Sequence, residues 1–323
     1  MLVISPLAFS ESEIRNFSEK YIMSLESEYL FWYGYMNRMT QNERENYVKN
    51  RIFSESDLLD VYQNPIVLDV GAGGSYDVGT IPPNGGHTIK LYTCDVLAGA
   101  YDVLKQLYGL KPYVKIDFAF VERLTDRYKE NSFDIVRMSN ALDHCYDPFT
   151  GIFEMLKVAK IGGTVRLIHL ENESEHEKQS GMHQWNITSE GEDSMLIWRH
   201  GFKADIRNVL KGCARIKTKK CDASNGRCLI ISDIVKTDNI ETSAKTGMNL
   251  FDETMILFCL MKTSEKFSSA HKKAGNDDHF RKSMSTKLIE YYAKYVVPTG
   301  LTKCFPSWLK RNVKKLLTRN ISY

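Results

Sequence analysis

Apolar residues in the middle of this chain fall in short runs parted by polar, glycine-rich turns, the rhythm of buried strands alternating with amphipathic helices. Ile66, Val67 and Leu68 open the clearest run, Asp69 and Val70 close it, and Gly71, Ala72, Gly73 and Gly74 follow at once. A buried parallel strand that runs into a glycine-rich turn lets a ligand approach bare backbone at the carboxyl end of a sheet. Further strands are predicted over residues 90–94, 113–118, 133–138 and 164–170. Helices are predicted over 98–108, where Val103, Leu104 and Leu107 share a face, over 152–159, ended by Gly162 and Gly163, and over 204–210. Pro82, Pro83, Gly85 and Gly86 forbid a long helix between the first two strands, so that connection is expected to be short or irregular. Strand–helix–strand order with short turns implies parallel pairing and right-handed crossovers. Residues 214–220 alternate and 229–235 are mostly apolar, with a turn near Ser224, Asn225 and Gly226, so they read as an antiparallel closing pair.

The flanks have a different texture. Residues 1–63 are acid-rich and aromatic, and Leu25, Tyr29, Trp32, Tyr33, Met36 and Met39 recur at helical spacing, with Gly34 inside the pattern. Residues 54–57 look like a capping-box variant ahead of Leu58 and Leu59. The polar stretch ENESEHEKQSGMHQWNI, from Glu171, has the length of a functional loop, and His183, Trp185 and Asn186 at its end argue for order. After Glu290 there are seven cationic residues and no acid, while Leu309, Val313, Leu316 and Leu317 share a helical face beside Trp308. That tail reads either as a helix docked on the domain or as a membrane-surface helix. The expected organisation is a helical cap over 1–63, a main domain over 64–236 and a basic helical extension over 237–323.

Composition narrows the class. A chain of 323 residues with 43% hydrophobic and 26% charged residues is an ordinary globular protein, and a net charge of +3 is too small to imply a nucleic-acid partner. The seven cysteines are odd in number and form no CxxC pair, which argues against a zinc framework or a disulfide scaffold and fits a reducing cytoplasm. MLVISPLAFS lacks the basic start of a signal peptide, and residues 255–261 are too short to span a bilayer. A soluble cytoplasmic protein, in peripheral contact with the inner face of a membrane if its tail binds lipid, is expected.

The glycine turn then selects its ligand. Tyr76 stands where a dinucleotide loop needs its last glycine, and the Gly-Lys-Ser/Thr of a P-loop is absent. Asp95 ends the second strand, where an acid can hold ribose hydroxyls. With VLDVGAGG, Asp95, SFDIV at 132–136 and KIGG at 160–163 in this order, the chain resembles the class I S-adenosylmethionine-dependent methyltransferases over roughly 64–236. The resemblance implies a Rossmann-like α/β sheet, mostly parallel with an antiparallel final strand, with helical extensions at both ends. It implies S-adenosylmethionine as cofactor, held by Asp69, Gly71, Gly73, Asp95, Glu122 and Asn140, with Glu122 reading the adenine beside Phe120 and Val121. It also makes the N-terminal helix either a packing element at the sheet edge or a lid over the acceptor. The stretches NALDHCYDP and HQWN look like those of methyltransferases found with surface-polysaccharide genes, which implies O-methylation of a sugar or of a glycan or glycolipid precursor.

His144, just past the fourth strand, is the leading candidate for a base, Asp143 is beside it, and His183 is second because its loop can fold over the acceptor. His169 reads as a core histidine, and Trp185 as either a sugar platform or a loop anchor. His144, Glu171 and His183 offer metal ligands, but nothing in their spacing requires a metal. Two competing readings are a nicotinamide-dependent sugar oxidoreductase, disfavoured by Tyr76 and the lack of a YxxxK pair, and a non-catalytic scaffold on the same fold.

Overall fold

Val67, Leu68 and Val70 are almost fully buried, and the sheet is built outward from this first strand. The computed structural model describes residues 11–74, 77–223 and 226–240. The basic tail with Trp308 and its leucines, residues 255–261, and Ser75 and Tyr76 all lie outside these. Strands β1 (Ile66–Val70), β2 (Lys90–Asp95), β3 (Ile116–Phe118), β4 (Phe133–Ser139) and β5 (Ala159–Leu170) pair in parallel. Three short strands, β6 (Asn186–Thr188), β7 (Leu196–Arg199) and β8 (Phe202–Asp205), form a separate antiparallel sheet that the sequence pattern did not announce. The last two, β9 (Ala214–Asp222) and β10 (Cys228–Lys236), return to the main sheet, giving the order β3-β2-β1-β4-β5-β10-β9. β10 runs antiparallel to both of its neighbours, as the closing pair required. The order reverses between β1 and β4, which opens a crevice at their carboxyl ends.

Local chemistry sets the element ends. Among the described residues between β1 and β2 there is no helix, in keeping with Pro82, Pro83, Gly85 and Gly86. The helix after β4 starts earlier than the apolar period suggests. Asp147 Oδ1 accepts from the backbone N–H groups of Phe149 and Thr150, and Pro148 occupies the first turn. The predicted 204–210 helix is instead β8 followed by a single turn, Ile206–Val209, because 202–205 pairs with β7. β5 also starts earlier than expected: Phe133 pairs with Ala159 but Ile135 with Thr164, so residues 160–163 bulge out of the ladder. The capping box expected at 54–57 is absent. The short turn Ser56–Asp60 has no side-chain cap, while a capping box closes Thr40 and Glu43 at the next helix upstream.

The N-terminal helix α1 (Glu11–Arg38) continues through Gly34. Tyr21, Leu25, Tyr29 and Met36 face Leu97, Tyr101 and Leu104 of the helical segment after β2, together with Phe120 and Tyr146, in one apolar cluster. Ser24 Oγ also donates to the Gly181 carbonyl at 2.9 Å, which ties α1 to the polar loop. Among the described residues no helix is long and apolar enough to cross a membrane, and the described cysteines are free thiols.

Alternation gives the sheet two different faces. Leu68, Val70, Val136, Met138, Val165 and Leu167 belong to the larger core. The opposite face carries Val67 and Ile135 under Phe53, Leu58 and Leu59. In the same direction points a row of charge, Asp69, Arg137, Arg166 and Asp233, on four adjacent strands in register. Arg137 donates to Asp69 Oδ1 at 2.8 Å and to Glu55 Oε1 at 2.7 Å. Arg166 donates to Glu55 Oε2 at 2.9 Å and forks onto Asp57 and Asp233. Burial acts to raise the Glu55 carboxyl, but the two guanidinium groups hold it below the usual range. Replacing Arg137 with Met would strand the buried Asp69 carboxylate and leave Glu55 with Arg166 alone. Arg137→Met is expected to cost about 3–5 kcal/mol in urea unfolding, and an unchanged midpoint would show that the row is not a stabilising unit.

Candidate active site

The crevice between β1 and β4 holds a cavity of ≈ 260 Å³. Asp69, Gly71 and Gly73 line it from β1 and its turn, Asp95 from β2, and Asn140 and His144 from beyond β4. Tyr21, Glu28 and Trp32 of α1 close it. Gly71 has φ +65°, and a Cβ there would lie 2.7 Å from that of Ala141, so the turn admits no side chain. Gly73 is covered by the Trp32 ring, which a Cβ would meet at 2.9 Å. The Trp32 indole N–H donates to Glu28 Oε1 at 2.8 Å, fixing the ring over the turn. α1 thus combines both readings of its aromatic face: it packs into a core and it roofs the cavity.

Asp95 accepts from the backbone N–H of Leu97 at 2.7 Å and of Gly73 at 2.8 Å. Burial pushes its carboxyl up to about 6 against these two hydrogen bonds. Asn140 takes a left-handed conformation, φ +46°, and its Oδ1 accepts from Leu170 N. This ties the ends of β4 and β5 together and turns the chain into the short helical turn Leu142–His144.

That turn delivers Asp143 and His144. Asp143 Oδ2 lies 2.7 Å from His183 Nδ1 and 3.6 Å from His144 Nε2, and the two ring nitrogens are 3.2 Å apart. His144 reaches the cavity, whereas His183 stands behind it. Burial works against the Asp143 charge, but His144 and His183 hold its carboxyl below the ordinary range. The polar loop is held in place by backbone: Asp143 O accepts from Gln184 N and Trp185 N.

Several expectations are corrected. Glu122 does not line the cavity; its Oε1 accepts from Tyr146 N and Asp147 N, and Phe120 is a core residue, while Val121 is buried and does line the cavity. Asp69 lines the cavity as expected, with its Oδ1 taken by Arg137. Trp185 is fully buried with its N–H on the Cys145 carbonyl, so it anchors the loop and presents no face to a sugar. Glu171 pairs with Lys220 and Thr188, away from the histidines, and Asp143 takes the place given to it. His169 is buried as expected, but neither ring nitrogen has a hydrogen-bond partner, and burial keeps it neutral by lowering it to about 4. Arg137, Arg166, Glu28 and Tyr21 were missed. For the arginines a signal existed, since each interrupts an apolar strand and a buried charge needs a partner.

The family model for a methyltransferase domain matches residues 68–167, which run from the glycine-turn strand through β5. That match covers 100 of the 323 residues and marks this segment as similar to a methyltransferase domain. No protein of curated function matches it in sequence. Among solved structures it is similar to the Burkholderia thailandensis 1,6-didemethyltoxoflavin-N1-methyltransferase, at 17% identity and TM-score 0.41, over 72% of this chain and 93% of that one. It is also similar to the plantazolicin methyltransferase BamL, at 12% identity and TM-score 0.42, over 71% and 99%. A putative Haloferax volcanii methyltransferase in complex with the Trm112 activator gives 13% and 0.40, over 67% and 99%. Likenesses this weak carry no argument, and the resemblance to a methyltransferase domain rests on residues 68–167 and the sheet order.

The resemblance to a methyltransferase domain implies S-adenosylmethionine as cofactor. The cavity fits that cofactor on its own chemistry. Glu28 and Asp95 supply carboxylates toward a cationic ligand, and side-chain-free backbone lies at Gly71 and Gly73.

Glu122 offers a test of the ground beneath this site. Burial pushes its carboxyl up to about 8. The native state therefore keeps a proton that the unfolded chain loses near pH 4.5. Its stabilising contribution is complete below that value and is lost as pH rises through about 8. Glu122→Gln should match the wild type in urea unfolding at pH 4 and exceed it by roughly 2–4 kcal/mol at pH 8. Equal stability at both values would place an ionised carboxylate there.

Proposed function

We propose that this methyltransferase methylates a hydroxyl oxygen on a sugar or on a glycan or glycolipid precursor. The observation that carries the reading is the Asp143–His144–His183 cluster, which meets the cavity at the end of β4, on the same rim as Gly71 and Asp95. An amine acceptor needs only to lose its own proton. A hydroxyl attacks poorly until its proton is drawn away, and help of that kind is worth about 10²–10⁴-fold. The sugar class is supported by the likeness of NALDHCYDP and HQWN to methyltransferases found with surface-polysaccharide genes.

Bound S-adenosylmethionine supplies a sulfonium methyl carbon that is already electrophilic. The chain's task is then alignment, which can contribute roughly 7–11 kcal/mol. Asp95 accepts hydrogen bonds from the ribose hydroxyls, and Gly71 and Gly73 leave room for the ligand against backbone. His144 meets the acceptor, Asp143 fixes the two imidazoles, and the Trp32 roof excludes water.

Asp95→Ala should weaken S-adenosylmethionine binding by about 1.5–3 kcal/mol in calorimetry. Wild-type affinity should be full at neutral pH and decline below about pH 6, as the carboxylate takes up its proton. The alanine variant should lack this decline; an unchanged affinity removes Asp95 from the site. His144→Gln should lower kcat about 10²–10⁴-fold with cofactor affinity near wild type. Retained turnover of a hydroxyl acceptor would place its activation elsewhere.

A further inference from the structure

We propose that Asp143, His144 and His183 form a binding site for one divalent transition-metal ion, with its open side toward the cavity. Three ligand atoms converge: Asp143 Oδ2, His144 Nε2 and His183 Nδ1, separated by 2.7, 3.2 and 3.6 Å. A triangle with these edges has a circumradius of about 1.9 Å. An ion at the metal–nitrogen distance of about 2.1 Å from all three atoms then sits about 1 Å out of their plane. No large movement of the side chains is needed.

Protons alone serve this arrangement poorly. If His183 Nδ1 donates to Asp143, His144 Nε2 faces a nitrogen whose hydrogen is already directed elsewhere. If His144 Nε2 is also protonated, two N–H groups are pressed together at 3.2 Å. A cation at the centre engages all three lone pairs at once. The donor set of two imidazoles and a carboxylate suits zinc, manganese, iron or cobalt better than magnesium or calcium.

The surroundings are those of a built site. Asp143 is buried, and its carbonyl accepts from the backbone of Gln184 and Trp185. Ser174 Oγ donates to the His183 carbonyl at 3.1 Å, and the Trp185 indole N–H donates to the Cys145 carbonyl. These bonds lock residues 143–145 against 183–185, so the ligands from two distant segments are held in place before any ion arrives. Three protein ligands leave positions for water and for a second oxygen, and His144 faces the cavity where that oxygen would enter.

The use of the ion rests on the hydroxyl reading above. Coordination lowers the pKa of the acceptor hydroxyl, and its proton passes to water. The oxygen lone pair then forms the new C–O bond while the C–S bond breaks. The electron pair of that bond stays on sulfur, which leaves as a neutral thioether, and the oxygen ends as an ether.

The test uses the full chain, stripped with chelator and titrated with Co²⁺, then Zn²⁺. One equivalent of Co²⁺ should bind with visible d–d bands, and Zn²⁺ should displace it while raising the melting temperature. His183→Gln and His144→Gln should each weaken binding by about 10–100-fold. His176→Gln, in the surface group Glu173, His176 and Glu177, should leave binding unchanged. If a ligand variant does not fold, the stoichiometric wild-type spectrum still decides. Absence of those bands, or full binding by both folded ligand variants, overturns the site. Hydroxyl methylation that persists in chelator sinks the metal's role and spares the hydroxyl reading. Stoichiometric metal binding with methylation only at nitrogen or carbon does the reverse.

Discussion

Arg137 and Arg166 are cross-strand neighbours at the centre of the sheet, and like charges in that position repel. Glu55 lies between them with one carboxylate oxygen on each guanidinium, while Asp69 and Asp233 close the row at its two ends. Burying any one of these groups alone would be costly, and together they leave few charges unmatched. The row crosses β1, β4, β5 and β10, the strands whose relative placement defines the crevice. It also pulls the segment around Glu55 and Asp57 down onto the sheet, where Phe53, Leu58 and Leu59 seal the neighbouring apolar surface. Arg137 itself borders the cavity, so the same ion pairs that hold the strands in register shape one wall of the site.

From that frame the site follows by short steps. Strand ends supply the backbone turn and Asp95. One asparagine in a left-handed conformation joins the ends of β4 and β5 and sets up the turn that carries Asp143 and His144. A polar loop then brings His183 alongside, held by main-chain hydrogen bonds rather than by an apolar anchor alone. The roof comes from the far end of the sequence, through Trp32 seated on Gly73 and Gly74.

The parallel core was readable because its cues are local: apolar runs, an acid, a glycine turn, and prolines that exclude a helix. Asp95 at a strand end and His144 just beyond another follow from position along the chain. What stayed hidden depends on pairing between distant residues. Nothing near Asp69 says that Arg137 will engage it, and nothing near Glu122 says that its carboxyl will cap a neighbouring turn instead of lining the cavity. The small sheet of β6, β7 and β8 escaped because each strand is only three or four residues long, too short to establish a period. Glu171 and Asp143 differ as partners for the histidines only through the path of the loop between them. The two strand-centre arginines were the legible signal that went unused.

Glu55 precedes the first strand, and Asp233 lies in the last of the ten among the described residues. A ribosome therefore releases both arginines well before it releases the carboxylate that forks onto Arg166. Until β10 docks, Arg166 has only Glu55 and the exposed Asp57 against it, and one edge of β5 stays open to water. Closure of the sheet waits for the last strand of the order to be released. A chain interrupted short of Asp233 carries a sheet without its closing strand and without one of the carboxylates that balance Arg166.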